Sequence, residues 1–216
     1  MGLFEMNSKQ SAKRVIAVFG ESHNDSQAIM HLVSALKPDL QVRAVRSPTV
    51  LIHKNAGGRN NIRRNADQIK EAIKALNVHS RVVAAVVHKD CDEIEPAHTR
   101  LSKVIEAQLA GTKYVCVAAT PAWEIESWWY LWPDAVSAYH ASWARLNRRG
   151  KNVGLLADAK EQLVRDLRPK GSKKTRDYVE SDSVGIAEFV RKLGCVNKQD
   201  AVSDSFALFQ GKIAAI

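Results

Sequence analysis

The chain has 216 residues, of which 45% are hydrophobic and 25% are charged, a balance typical of a folded globular protein and not of a disordered one. Its formal net charge of +9 at pH 7 indicates an acidic partner, nucleic acid before a membrane surface, because no amphipathic basic helix stands out. No apolar run approaches the roughly 18 residues of a membrane span, and no hydrophobic signal segment opens the sequence. Three widely spaced cysteines fit a reducing compartment, so we expect a cytoplasmic protein that does not enter the membrane.

Strand and helix patterns alternate along the first 133 residues, and only helical patterns follow. Apolar, β-branched runs predict four strands, at 15–19, 41–45, 82–87 and 114–119. Apolar residues at helical spacing predict helices at 26–36, 66–76, 96–110, from about 124, 134–147, 155–167 and 183–193. Segment 47–65, with two adjacent glycines, is predicted as a loop. We therefore predict an α/β protein with a Rossmann-like parallel sheet, residues 1–133, and a helical basic appendage, residues 134–216.

Acidic residues follow three of the four predicted strands. Glu21 follows the first, Asp90 and Asp92 follow the third, and Glu124 or Glu126 follows the fourth. Parallel strands present their carboxyl ends at one edge of the sheet, so these side chains should meet there and can hold a hard divalent cation. The alternative is that they form solvated turns and helix starts, where acidic residues are also favoured.

Two further compositional features stand out after the fourth strand. Five tryptophans lie between Trp123 and Trp143, and the spacing of Trp128 and Trp132 favours packing against helices over stacking on bases. From Arg145 to Arg176 there are eleven lysines and arginines against three acids, so most of the positive excess lies there. Such a segment is typical of a surface that follows a nucleic-acid backbone, although a solubilising or partner-binding face is the alternative. The residues predicted to contact nucleic acid are Arg168, Lys170, Lys173, Lys174 and Arg176.

A glutamate after the first strand and a DxD motif after the third resemble the Toprim domain of topoisomerases, primases and nucleases of the overcoming-lysogenisation-defect type. The resemblance lies in GESHND, which contains Glu21, and in HKDCDE, which contains Asp90 and Asp92. The stretch EIESWWYLWPD, followed by RPKGSKKTRDY, is similar to small uncharacterised Toprim-like proteins that often neighbour ATPase genes in bacteria, and their acid-x-Trp element matches Glu126. The sequence departs from the usual Toprim pattern at Ser22, where a glycine is expected.

The resemblance implies phosphoryl-transfer chemistry on nucleic acid that depends on Mg²⁺ or Mn²⁺. Asp90 and Asp92 would hold the metal, Glu21 would complete its shell or act as general acid or base, and Glu126 would assist. Two histidines at the same edge are predicted to have structural hydrogen-bonding roles: His23 and His88. The resemblance implies a DNA or RNA nuclease that acts as a phage-defence effector. The alternative is a non-catalytic or conditionally active subunit that binds a partner ATPase.

Overall fold

The computed structural model describes residues 13–51, 59–170 and 175–216, the side chains of residues 59–62 excepted. At its centre is a four-stranded, all-parallel sheet with the strand order β2-β1-β3-β4. The strands are β1 (Arg14–Phe19), β2 (Gln41–Ala44), β3 (Arg81–His88) and β4 (Val115–Ala119). The predicted α/β class with a Rossmann-like parallel sheet is confirmed.

Eight α-helices surround this sheet in the described ranges. They are α1 (His23–Leu36), α2 (Arg59–Leu76), α3 (His98–Gln108), α4 (Glu126–Trp129), α5 (Pro133–Tyr139), α6 (Ala159–Leu167), α7 (Asp182–Lys192) and α8 (Asp204–Ala214). Over the same ranges, none of the helices combines the length and the apolar character needed to cross a bilayer.

Helices cover both faces of the sheet, which is why its strands are apolar without alternation. Ile16 and Val18 of β1 belong to one buried cluster, together with apolar residues of α1 and of the C-terminal helices. Ala17 and Phe19, which point the other way, belong to a second cluster with residues of α2 and α3. Each face of the sheet therefore has its own core, and only the strand ends remain available for a site.

The C-terminal helices contribute to the same core as the sheet. α7 packs along α1, and Phe206 and Phe209 of α8 contact the Trp128 ring at centroid distances of 5.2 and 5.4 Å. Trp128, Trp129 and Trp132 are all at most 1% exposed, so the packing role predicted for them is confirmed. The division of the chain at residue 133 stays a prediction.

Three predicted segment boundaries are wrong, and one helix was not predicted. The helix predicted over 134–147 ends at Tyr139, because His140 is extended and Trp143 turns back to stack on its ring at 4.5 Å. The helix predicted from 155 begins at Ala159, after Asp158 in the left-handed region at φ 49°. α2 begins within the segment predicted as a loop. α8 was not predicted, although Ser203, Phe206 and the residues after them carry a helix cap and helical spacing.

Candidate metal centre

The carboxyl ends of β1 and β3 bring Glu21 and Asp90 together, as the sequence predicted for neighbouring parallel strands. Gly20 makes the turn after β1, where an added Cβ would lie 2.6 Å from the Ser26 backbone nitrogen, so a side chain does not fit. Ser22 then caps α1 in a reciprocal capping box with Asp25. This fixed turn directs Glu21 across to β3, where its Oε2 accepts a hydrogen bond of 2.7 Å from the Asp90 backbone nitrogen.

Three potential metal ligands form what we call the acidic cluster: Glu21, His88 and Asp90. One ligand atom from each lies within 4.8 Å of the other two. Asp90 is oriented by the Ile125 backbone nitrogen, which donates to its Oδ1 at 3.0 Å. His88, the last residue of β3, is fully buried, with Nε2 3.2 Å from Asp90 Oδ1. Neither ring nitrogen of His88 makes a well-aligned hydrogen bond among the described residues, which leaves a buried polar side chain facing the cluster.

The charges of the cluster shift one another's pKa values. Burial and the neighbouring Asp90 raise the pKa of Glu21 above its ordinary 4.5. Burial alone would lower the pKa of His88, but Asp90, Asp25 and Glu21 together outweigh burial and raise it to about 9. Without a bound cation, His88 is therefore protonated at neutral pH and offsets part of the negative charge around it.

Lys89 supplies a second positive charge within the site. Its side chain is 6% exposed, and its Nζ lies 2.7 Å from Glu21 Oε1 and 3.7 Å from Asp92 Oδ2. Burial opposes the charge of Lys89, but Glu21 and Asp92 outweigh burial and raise the pKa of its ammonium group. A metal ion bound by Glu21 would have to displace this ammonium group or share the carboxylate with it.

Asp92, the second acid of the DxD motif, lies outside the acidic cluster. Its backbone is left-handed, with φ 54°, and its nitrogen donates to the Trp123 oxygen at 2.9 Å. The Asp92 side chain is 70% exposed, and its ion pair within the described residues is with Lys89 at 3.7 Å. The structure thus brings together Glu21 and Asp90 of the predicted ligands, while Asp92 stands at the rim.

Glu124 and Glu126 have different environments. Glu124 Oε2 accepts from the Lys160 backbone nitrogen at 3.1 Å, and so caps the first turn of α6. Glu126 is 4% exposed, and its Oε1 accepts from the Tyr178 hydroxyl at 2.9 Å. Burial first, and then the charge of Asp90, raise the pKa of Glu126 to about 7. Burial and the charge of Asp90 also raise the pKa of Glu124, so the two acids differ in burial and in hydrogen-bond partner, and Glu126 is the more buried.

Two of the side chains predicted to contact nucleic acid are already paired with acidic residues of the protein. Arg168 pairs with Asp177 through two hydrogen bonds, both partners being exposed. Arg176 pairs with the buried Asp182, at 2.7 Å for each of two hydrogen bonds, and its guanidinium lies 5.2 Å from the Trp143 ring centroid. Lys170 is exposed, whereas Lys173 and Lys174 lie outside the described residues. Arg176 therefore has a structural role in addition to its charge.

The acidic cluster can hold a metal ion. Adjacent ligands of one octahedral Mg²⁺ lie about 3.0 Å apart and opposite ligands about 4.2 Å apart, given bonds of about 2.1 Å, so ligand atoms that lie within 4.8 Å of one another would have to close by up to about 2 Å. Two carboxylates and one imidazole suit Mn²⁺ or another first-row ion at least as well as Mg²⁺, which prefers oxygen. His88, whose Nε2 lies 3.2 Å from Asp90 Oδ1, would have to lose a proton before a ring nitrogen could bind the ion.

The sequence predicts a structural role for His88, and it marks Lys89 only as part of a His-Lys pair before the DxD motif that departs from the Toprim pattern. A signal for His88 was present, because it stands two residues before Asp90, at the end of a strand whose alternate side chains share a face. No pattern in the sequence marks Lys89 as buried between acids, since that contact depends on how β1 and β3 align.

The fold and the site together define a parallel α/β protein with a candidate metal centre at the carboxyl edge of its sheet. No family model matches the chain, and it likewise has no match among curated proteins or solved structures. The resemblance to Toprim domains therefore stays a prediction from the motifs.

Proposed function

We propose that this protein is a Toprim-type phosphodiesterase that depends on a divalent cation, Mg²⁺ or Mn²⁺, and cleaves nucleic acid. The observation that supports the proposal most strongly is the acidic cluster. In it, the Asp90 backbone nitrogen donates to Glu21 Oε2 at 2.7 Å, and the buried His88 lies beside both acids. Ligand sites of parallel α/β sheets occur at this edge. A bound cation would act there as a Lewis acid on a phosphate oxygen.

The protein's own residues would bind the cation and transfer the proton. Glu21 and Asp90 hold the cation, and Asp90 is kept in place by the Ile125 nitrogen. Glu126, whose pKa of about 7 lies near neutral pH, is suited to take up or release a proton. Tyr178 positions Glu126 by donating to its carboxylate.

A nicking assay with supercoiled plasmid tests this function. Wild-type protein should nick the plasmid when Mg²⁺ or Mn²⁺ is added and not in EDTA, and Asp90→Asn should abolish nicking. Asp39→Asn is a matched control, since Asp39 is an exposed acid between α1 and β2 that does not belong to the cluster. If plasmid and single-stranded DNA and RNA all stay intact with either metal, the nuclease proposal is wrong.

Lys89 favours the second candidate, a non-catalytic or conditionally active subunit that binds a partner such as an ATPase. Its Nζ lies 2.7 Å from Glu21 Oε1, so the ammonium group compensates the charge of this partly buried carboxylate without a metal ion. The variant Lys89→Met separates the two functions. If wild type binds no Mn²⁺ and Lys89→Met binds it, the lysine occupies the metal position in the resting protein.

A further inference from the structure

A cavity of about 670 Å³ opens beside the metal centre, and we call it the α6 cavity because α6 forms one of its walls. Its other walls are the first turn of α1 and the segment that leads into α7. Two of its lining residues contact the acids after β4: Tyr178 donates to Glu126, and the Lys160 nitrogen donates to Glu124. A third, Asn24, stands three residues after Glu21. The cavity therefore adjoins the candidate centre.

The walls of the α6 cavity combine charged and apolar groups, and the basic side chains outnumber by one the two acidic ones, Glu161 and Glu180. Three of its side chains are basic: Lys160, Arg165 and Arg168. Arg165 is exposed and has no ion pair among the residues that the structure describes. Lys160 pairs with Glu180 and Arg168 with Asp177, but such solvent-exposed pairs contribute little, so a phosphate can compete for both cations.

The apolar part of the wall consists of Val164, Val179 and Tyr178. Val179 is 53% exposed, although it belongs to a residue type that is usually buried. A ring or sugar placed against these side chains would be removed from water while its phosphate reached the basic residues. The volume lies within the range of about 300–1,000 Å³ that is usual for sites that bind one small molecule.

We propose that the α6 cavity receives one unpaired nucleotide of the substrate strand, beside the phosphodiester that is held at the acidic cluster. This inference rests on the proposed function and specifies its substrate as single-stranded nucleic acid or a frayed end. A base within a duplex would have to leave its stack before it could enter, at a cost of a few kcal/mol. Intact duplex should therefore bind more weakly than a single strand of the same sequence.

Fluorescence anisotropy with a labelled single-stranded hexanucleotide tests the proposal, in EDTA so that nothing is cleaved. Arg165→Glu should weaken binding by roughly tenfold and reduce the slope of log K against log salt by about 0.7, the value for one phosphate contact on a single strand. Arg149→Glu is the matched control, because Arg149 is an exposed arginine of the same basic segment that does not line the cavity. Equal losses for the two variants, or no loss for Arg165→Glu, would overturn the proposal.

A second measurement examines the base itself. An abasic position is moved along the hexanucleotide, and one position should lower wild-type affinity by roughly five- to a hundredfold, as expected when one contacted base is removed. Uniform affinity across all positions, or tighter binding of a matched duplex, would contradict entry of a nucleotide. Arg165 is exposed in the last turn of α6, so we expect its variants to fold, and circular dichroism of each variant is the check.

The outcomes distinguish failure of the cavity from failure of the nuclease proposal. If wild type and Arg165→Glu both bind Mn²⁺ and nick plasmid at equal rates, the nuclease function is supported and the nucleotide site in the α6 cavity is contradicted. If the hexanucleotide binds through Arg165 but no metal binds, the cavity proposal stands and the nuclease falls. Arg165→Glu should leave Mn²⁺ affinity unchanged, since Arg165 does not contact the acidic cluster.

Discussion

Replacing the buried Glu126 by glutamine should make the protein more stable at pH 8 while it impairs cleavage. The Glu126 carboxylate is 4% exposed and lies near Asp90, so its charged form is disfavoured in the folded state. Glutamine keeps the size of the side chain and an oxygen that can accept from the Tyr178 hydroxyl. The substitution therefore removes the charge with little other change.

The size of the effect follows from the two pKa values of Glu126. The folded-state pKa is about 7 and the ordinary value is 4.5, so the folded protein binds the proton more tightly than the unfolded chain does. For a carboxyl group with a raised pKa, stability is lost as the pH rises from 4.5 through 7, and the loss approaches about 3 kcal/mol. Glutamine has no such loss. The stability of the variant relative to wild type should thus rise by about 3 kcal/mol between pH 4.5 and pH 8.

Urea unfolding at both pH values, in EDTA, measures this difference. Glu124→Gln is the matched control, because Glu124 is less buried and accepts from a helix nitrogen, so its difference should be smaller. Cleavage at saturating Mg²⁺ should fall more for Glu126→Gln than for Glu124→Gln. If the difference in unfolding free energy between Glu126→Gln and wild type does not change with pH, the pKa of Glu126 is not raised in the folded protein, and the reasoning from its burial is wrong.

The remaining predictions concern Glu95, which contacts the start of α8, and two glycines, Gly154 and Gly211. Glu95 Oε1 accepts a hydrogen bond of 2.7 Å from the Ser205 backbone nitrogen. Burial opposes the charge of Glu95, but hydrogen bonds from Ser205, Asn152 and Ser203 outweigh burial and lower its pKa. Glu95→Gln should therefore lower the free energy of unfolding by about 1–3 kcal/mol in urea at pH 7. For a lowered pKa, this contribution is present above 4.5 and is lost as the pH falls through the folded-state pKa, so equal differences at pH 7 and pH 3 would contradict it. Gly154→Ala should lower stability by about 1–3 kcal/mol, because the added Cβ would lie 1.9 Å from Glu95 Cδ. Gly211→Ala, which has open space around it in α8, should raise stability by about 0.5–1 kcal/mol. Thermal unfolding compares the two variants, and an unchanged stability of Gly154→Ala would refute the close contact.

The sheet could be predicted from the sequence because β1, β3 and β4 are apolar runs that end sharply, whereas β2, with the sequence QVRA, gives a weaker signal. The run that ends at His88 is buried on both faces, and this burial is what its unbroken hydrophobicity indicates. The positions of Glu21 and Asp90 followed, since adjacent parallel strands end at one edge. These inferences need only local pattern and the rules of parallel sheets.

The features that the sequence did not predict depend on contacts between distant segments. Asp92 is turned away by a left-handed backbone that is paired with Trp123, 31 positions further along the chain. Lys89 is buried because it lies between Glu21 and Asp92, and a lysine ordinarily stands in solvent. The helix predicted over 134–147 stops early because Trp143 packs onto His140 and donates to the Arg176 oxygen. Composition and periodicity carry no information on such pairings.

Calorimetric titration with Mn²⁺ tests the central claim, that the acidic cluster binds a divalent cation. Wild-type protein should bind one Mn²⁺, Asp90→Asn should lose that binding, and Asp92→Asn should weaken it less, because only Asp90 lies within the cluster. Asp39→Asn should bind as wild type does. Identical titrations of wild type and Asp90→Asn, with either Mn²⁺ or Mg²⁺, would contradict the account.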